Sequence, residues 1–229
     1  MLKKRLIGVI TVLDGWAIQS FGYKKYLPLG KPKILAKNLD NWGADEIIIQ
    51  SINRSRKNLG PDYELLKSIS NLSLSTPLTY AGGITSKEDA VNVIKAGCER
   101  ICIDNLLQSN INKIKDISLK LGSQALIASI PVYVKNDKLM WFNYKDNTYK
   151  DSFSDLESIP LSSLISEIFL IDKNNEGLKN AFDKEILNLF PITNIPLILF
   201  GGINNNEQIK NFFKKENVSS IAVGNSLNY

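Results

Sequence analysis

PLTYAGGI, residues 77–84, returns as PLILFGGI at 196–203, and the repeat of an apolar strand run into Gly-Gly-Ile decides how the chain is read. Two further pairs keep nearly the same separation: EIIIQSIN (46–53) with EIFLIDKN (167–174), and LIGVIT (6–11) with LIASIP (126–131). Three matches at one spacing indicate two related halves, about 1–122 and 123–229, within one domain. Working outward, short apolar runs recur at 6–12, 46–52, 77–82, 100–104, 124–130, 167–172, 195–201 and 219–224, with helix-period segments between them. That alternation is the pattern of a parallel sheet covered by helices, and eight strands predict a closed α/β barrel.

Several helices follow from local signals. KPKILAKNLDNW starts at a proline and spaces Ile34, Leu35, Asn38, Leu39 and Trp42 along one face, and PDYELLKSISNL does the same with Leu65, Leu66 and Ile69. SKEDAVNVIKAG carries a Ser cap, an acid three residues later at Asp89, and a terminal Gly97. VKNDKLMWFNYKDNTYK is too long for a tight connection, and its aromatic alternation about Asn-Asp predicts a hairpin inserted after strand 5. After VGNSLNY no helix follows strand 8, so either the barrel lacks its last covering helix or the sequence is trimmed there.

Composition narrows the chemistry. Lys and Arg number 28 against 23 Asp and Glu, but the basic residues fall in scattered pairs such as Lys24-Lys25 and Lys214-Lys215, which predicts a solvated surface and no nucleic-acid partner. No apolar run is long enough for a bilayer and no cleavage pattern follows MLKKR, so a soluble cytoplasmic protein without membrane contact is expected. Cys98 and Cys102 have neither redox nor zinc spacing and read as buried thiols, with no metal and no cofactor. The chain has no histidine, so any acid or base work near neutral pH falls to carboxylates, Lys, Tyr or Cys. Gly82-Gly83 and Gly201-Gly202 each follow a strand and precede a helix, where backbone N–H groups can approach an anion; Gly224, Asn225 and Ser226 follow strand 8 beside the second motif. Two duplicated motifs favour binding of a phosphorylated small molecule over simple turns.

From MLKKRLIGVITVLDG through GSQALIASI to PLILFGGI, the chain resembles the cyclase subunit of imidazole glycerol phosphate synthase. The resemblance implies a (β/α)8 TIM barrel with twofold internal symmetry that takes ammonia from a glutaminase at its N-terminal face. The ammonia is used at the C-terminal face on a bis-phosphorylated nucleotide derivative, a lyase-type cyclisation in histidine biosynthesis. The family's general base and acid are aspartates ending strands 1 and 5, and here those positions hold Thr11 and Pro131. Thr does not exchange protons usefully near neutrality and Pro has no side-chain functional group, so the cyclase activity is expected to be lost. Ser51 replaces a family aspartate after strand 2, and Asp104-Asn105 replaces an Asn-Thr pair; Asp14, Asp172 and Asp183 remain as acids near the top face.

The opposite end matches the family. Its ammonia gate is a ring of two basic and two acidic side chains, and the corresponding positions are Arg5, Glu46, Arg100 and Glu167. Charges directed into a barrel must neutralise one another, and charges that merely cap the barrel bottom are the alternative reading. VLDGWAIQSFGYKKYLPLGKP is closer to paralogues found with a glutaminase and an amidotransferase in surface-polysaccharide biosynthesis. The resemblance therefore implies a heterodimer with a glutaminase, Glu99 among its contacts, that delivers ammonia to an amidotransferase acting on an acetamido sugar. A working cyclase and a phosphosugar-binding regulatory barrel are the alternatives.

Overall fold

The computed structural model describes residues 3–227. The chain runs β1 (Arg5–Leu13), β2 (Trp16–Phe21), β3 (Lys25–Gly30), α1 (Pro32–Asn41), β4 (Glu46–Ser51), α2 (Arg54–Lys57), α3 (Tyr63–Ser70), β5 (Leu78–Ala81), α4 (Lys87–Lys95) and β6 (Arg100–Ile103). It continues through α5 (Leu106–Ser109), α6 (Ile111–Leu121), β7 (Leu126–Lys135), β8 (Lys138–Asn143), β9 (Thr148–Lys150), α7 (Ser154–Glu157) and α8 (Leu161–Leu164). The last elements are β10 (Glu167–Asp172), α9 (Glu185–Leu189), β11 (Leu197–Phe200), α10 (Asn206–Phe213) and β12 (Val218–Val223). β1, β4, β5, β6, β7, β10, β11 and β12 pair in parallel in that order, and β12 pairs back to β1, closing the eight-stranded barrel that the apolar runs predict.

Strand alternation divides the apolar residues into two cores. Ile7, Val9, Ile48, Ala81, Cys102, Ile127, Phe169, Ile171, Ile198, Phe200 and Ala222 fill the barrel, while their strand neighbours pack outward on the helices. Both cysteines are free and buried, as expected, and burial raises the Cys98 thiol pKa to about 12. α1 buries Pro32, Leu35, Ala36 and Leu39, and it sits so close to β1 that a Cβ on Gly8 would lie 2.7 Å from Leu39 Cδ1. Ile34 and Trp42, predicted on the same face, are 54% and 56% exposed instead; they flank the buried stripe of the helix. In α4 the Ser86 hydroxyl accepts from Asp89 N and the Asp89 carboxylate from Ser86 N, the expected capping box.

The hairpin expected after the fifth barrel strand is present: β7 extends to Lys135, turns at Asn136-Asp137, both at positive φ, and pairs with β8, which pairs with β9. A second hairpin, β2 and β3, springs in the same way from β1 and was not anticipated. The two thus arise at corresponding strands of the two halves, and both hang over the C-terminal mouth. Helical cover is less even, since α7, α8 and α9 are single turns where the first half has the longer α3, α4 and α6. After β12 the described chain ends in one 3-10 turn, Asn225–Leu227, and the expectation about an eighth helix falls beyond the described residues.

Candidate functional site

The barrel interior is built in layers. Arg5, Glu46, Arg100 and Glu167 sit at or near the starts of β1, β4, β6 and β10 on the inward side of each strand, and at the N-terminal end they meet in a closed circuit. Arg5 Nη2 donates to both Glu167 oxygens at 2.6 Å, and Arg5 Nη1 lies 3.4 Å from Glu46 Oε2. Arg100 Nη1 lies 3.3 Å from Glu46 Oε2, and Arg100 Nη2 donates to Glu167 Oε2 at 2.6 Å. Each base thus touches both acids. Hydroxyls complete the shell: Thr79 donates to Glu46, Ser219 donates to Glu167, and Ser220 and Ser166 accept from Arg5 and Arg100. Burial pushes the Glu167 carboxyl up, but Arg100, Arg5 and Ser219 outweigh it and hold its pKa below the ordinary value. Above the ring the next inward side chains are the apolar Ile7, Ile48, Ala81, Cys102 and Ala222.

At the C-terminal end the inward positions of β1 and β7 hold Thr11, 4% exposed, and Pro131, so no acid enters the mouth from either strand. The mouth is capped by the hairpins. Tyr23 packs edge-on against Tyr144 at 5.9 Å, and its hydroxyl donates to Gln50 Oε1 at 3.1 Å. Beneath them lie cavities of only about 30 and 10 Å³, bordered by Asp104, Ser129, Tyr144 and Pro131.

The acids expected near this face are there, each engaged by neighbouring chain. Asp14 is exposed and bonded to Asn53 and Lys57; Asp172 accepts from Asn175 N, Asn175 Nδ2 and Asp183 N; Asp183 accepts from Glu185 N. All three hold loops in place. Two further acids border the mouth, the half-buried Asp104 and the buried Glu176. Burial raises the Asp104 carboxyl against hydrogen bonds from Asn105 N at 2.5 Å and Ser55 Oγ at 3.1 Å. Burial raises Glu176 likewise, against bonds from Ser20 Oγ and Tyr23 N. Strand parity would have shown that Asp172 faces outward: Glu167, Phe169 and Ile171 point inward, so the next inward position is Lys173.

The two Gly-Gly motifs are not equivalent. A Cβ on Gly82 would lie 2.4 Å from Ser51 O, and one on Gly201 would lie 2.4 Å from Asp172 O, with φ at +131° and +103°; both positions need glycine for close backbone approach. At the first motif the Gly83 N–H already donates to Ser55 Oγ at 2.9 Å, and Ser55 in turn donates to Asp104. At the second, Gly201, Gly202, Gly224, Asn225 and Ser226 come together around a cavity of about 200 Å³ with Lys179 at its rim. The Asn225 side chain there clamps β2 through Ser20 N and O. Glu99 is exposed at the N-terminal face, where its carboxylate also accepts from Leu78 N at 2.6 Å.

Among the described residues no three His, Cys, Asp or Glu side chains cluster as a metal site, and no helix is long and apolar enough to cross a membrane. The family model described as histidine biosynthesis protein matches residues 5–229. A protein of Vibrio vulnificus (strain YJ016), provisionally named imidazole glycerol phosphate synthase subunit hisF2, is 31% identical over 205 residues, covering 89% of this chain and 75% of the relative. Imidazole glycerol phosphate synthase subunit HisF of Streptococcus mutans is 28% identical over 208 residues, with 88% and 81% covered. Its counterpart in Campylobacter concisus is 28% identical over 201 residues, with 87% and 79% covered.

Proposed function

This chain belongs to the histidine biosynthesis protein family, and on that premise we propose that it is a cyclase-like barrel that has given up imidazole formation and serves as an ammonia conduit. It docks a glutaminase at its N-terminal face and passes ammonia to an amidotransferase acting on an acetamido sugar, as in surface-polysaccharide biosynthesis. The observation that carries this reading is the intact ring of Arg5, Glu46, Arg100 and Glu167 beneath a mouth whose acid and base positions are Thr11 and Pro131. Ammonium entering the closed ring would lose its hydration with no net opposite charge to compensate, whereas uncharged ammonia can pass when a side chain swings aside, and the layer above holds no group that titrates near neutrality, since burial raises the Cys102 thiol. The exposed Trp42, Leu119 and Leu189 lie at the bottom ends of α1, α6 and α9, on the face that carries the ring and Glu99, and supply apolar surface for a docked partner.

A bis-phosphorylated nucleotide has no room in the small cavities under Tyr23 and Tyr144 unless both hairpins move. The cavity beside Gly201, Gly202 and Ser226 keeps space for a phosphoryl group and supports a bound phosphorylated molecule, with the amides and Lys179 as its ligands. A working cyclase is the competing reading, favoured by the acids Asp104 and Glu176, which would have to replace the missing pair.

Complementation of a histidine auxotroph lacking its cyclase subunit separates the two. The conduit reading expects no growth, and no turnover of the purified chain with ammonium and the histidine-pathway nucleotide; a rate of about 1 per second overturns it. A pull-down is expected to recover a glutaminase bound through the N-terminal face, and an interface mapped to the hairpin end counts against the proposal.

A further inference from the structure

Lys173 immediately follows β10 and is 3% exposed, yet among the described residues its ammonium has no ion pair and no hydrogen bond. Its neighbours are ring faces: Phe142 at 4.3 Å and Tyr149 at 5.8 Å from the centroids. Burial, and next the charge of Lys24, lower its pKa, with Glu176 opposing. Glu176 is itself engaged by Ser20 Oγ and Tyr23 N. A buried cation beside another cation is a costly arrangement unless something neutralises both.

The space it faces is a pocket of about 100 Å³ between the two hairpins. Lys24 reaches it from the β2–β3 turn and Arg56 from α2, so three segments far apart in the chain each deliver a cation. No carboxylate lines it, and neither Lys24 nor Arg56 has an ion-pair partner among the described residues. Tyr23, Tyr26 and Tyr144 form its walls. It shares no lining residue with the cavity beside Gly201 and Ser226.

From this geometry we infer that Lys24, Arg56 and Lys173 form a second anion site, built for the phosphoryl group of a small molecule and separate from the glycine-lined cavity. Three positive charges converging on a compact space match a polyanionic tetrahedral group better than a single carboxylate, and the tyrosine walls suit whatever the phosphoryl is attached to. The inference does not depend on the conduit reading, since it concerns occupancy of the C-terminal mouth alone.

The test is titration of the full chain at low salt with pyrophosphate, inorganic phosphate and acetate, followed by NMR of ¹³C-labelled lysine side chains. Pyrophosphate is expected to shift the Lys173 signal and to bind more tightly than acetate. Lys173→Met should weaken pyrophosphate binding at this site at least tenfold while raising the melting temperature of the unliganded protein, because it removes an unpaired buried charge. The double variant Lys24→Ala/Arg56→Ala changes exposed side chains and should lose a similar factor, while Lys179→Ala should leave the Lys173 response unchanged. Undiminished pyrophosphate binding in Lys173→Met, or in the double variant should the first fail to fold, overturns the site. Acetate or a peptide C-terminus binding as tightly as pyrophosphate overturns the phosphoryl assignment in favour of a carboxylate partner.

Discussion

Replacing Arg5 by Ala tests the ring directly. The substitution removes the Nη2 contacts to both Glu167 oxygens and the 3.4 Å contact to Glu46, leaving two acids around Arg100 alone. Glu46 and Glu167 are 3% and 7% exposed, so the surplus negative charge is largely cut off from water. Stranding a fully buried charge costs about 3–5 kcal/mol. The Arg5 side chain is 24% exposed, so water can enter the space it vacates, and the expected loss is about 2–4 kcal/mol. For a chain of this size that lowers the melting temperature by about 5–15 °C. The exposed pair Lys57–Asp14, 52% and 61% exposed, is the control: Lys57→Ala should change stability by about 0.5 kcal/mol or less. The pH dependence carries the sign. Glu167 titrates below its ordinary value, so its stabilisation is present above the unfolded carboxylate pKa and fades as the pH falls through the folded one. Without Arg5 the opposing effect of burial gains ground and the Glu167 pKa rises, so the penalty of the variant should be full at pH 7 and shrink toward pH 4. Denaturant unfolding at both pH values measures it. A loss under about 0.5 kcal/mol at pH 7, or a penalty equal at the two pH values, would refute the claim that the ring neutralises buried charge.

Other expectations follow from single contacts. Asp104→Asn keeps an acceptor for Asn105 N and Ser55 Oγ while removing a charge that burial disfavours; since the raised pKa penalises folding above it, the variant should gain stability at pH 7 and lose the gain as pH falls, read by melting curves against pH. Asp40, lowered to about 2 chiefly by the Ser75 hydroxyl, also accepts from Ser75 N, Thr76 N and Thr76 Oγ1; Asp40→Ala should cost about 1–3 kcal/mol at pH 7 and less below pH 3, checked by urea unfolding. Gly8→Ala drives a methyl group toward Leu39 and should cost about 1–3 kcal/mol, with partial recovery in the double variant Gly8→Ala/Leu39→Val; a neutral single variant would show that α1 can move aside.

Much of this molecule was legible in its one-dimensional pattern. Eight apolar runs and their near-constant duplication specify a closed parallel barrel because strand burial on both faces writes itself as continuous hydrophobic sequence. The four charges at the barrel's N-terminal end were singled out by the family resemblance and by no local pattern; that they meet around the axis with opposite signs in contact is decided by closure of the barrel. The β2–β3 hairpin escaped because β3 is mostly exposed, carries Pro28, and buries no face whose alternation could announce it. Asp172 lies at the C-terminal face as expected, but strand parity turns it outward to hold a loop and turns Lys173 inward. The pocket around Lys173 was invisible for a deeper reason. Its cations come from residues 24, 56 and 173 and its tyrosine walls from positions 23, 26 and 144 on two different hairpins, and no local pattern links them. Side chains distant in sequence acquire a shared electrostatic environment only when the barrel closes and the two hairpins fold over its mouth, so tertiary structure alone decided that two exposed cations and the buried Lys173 would border one pocket.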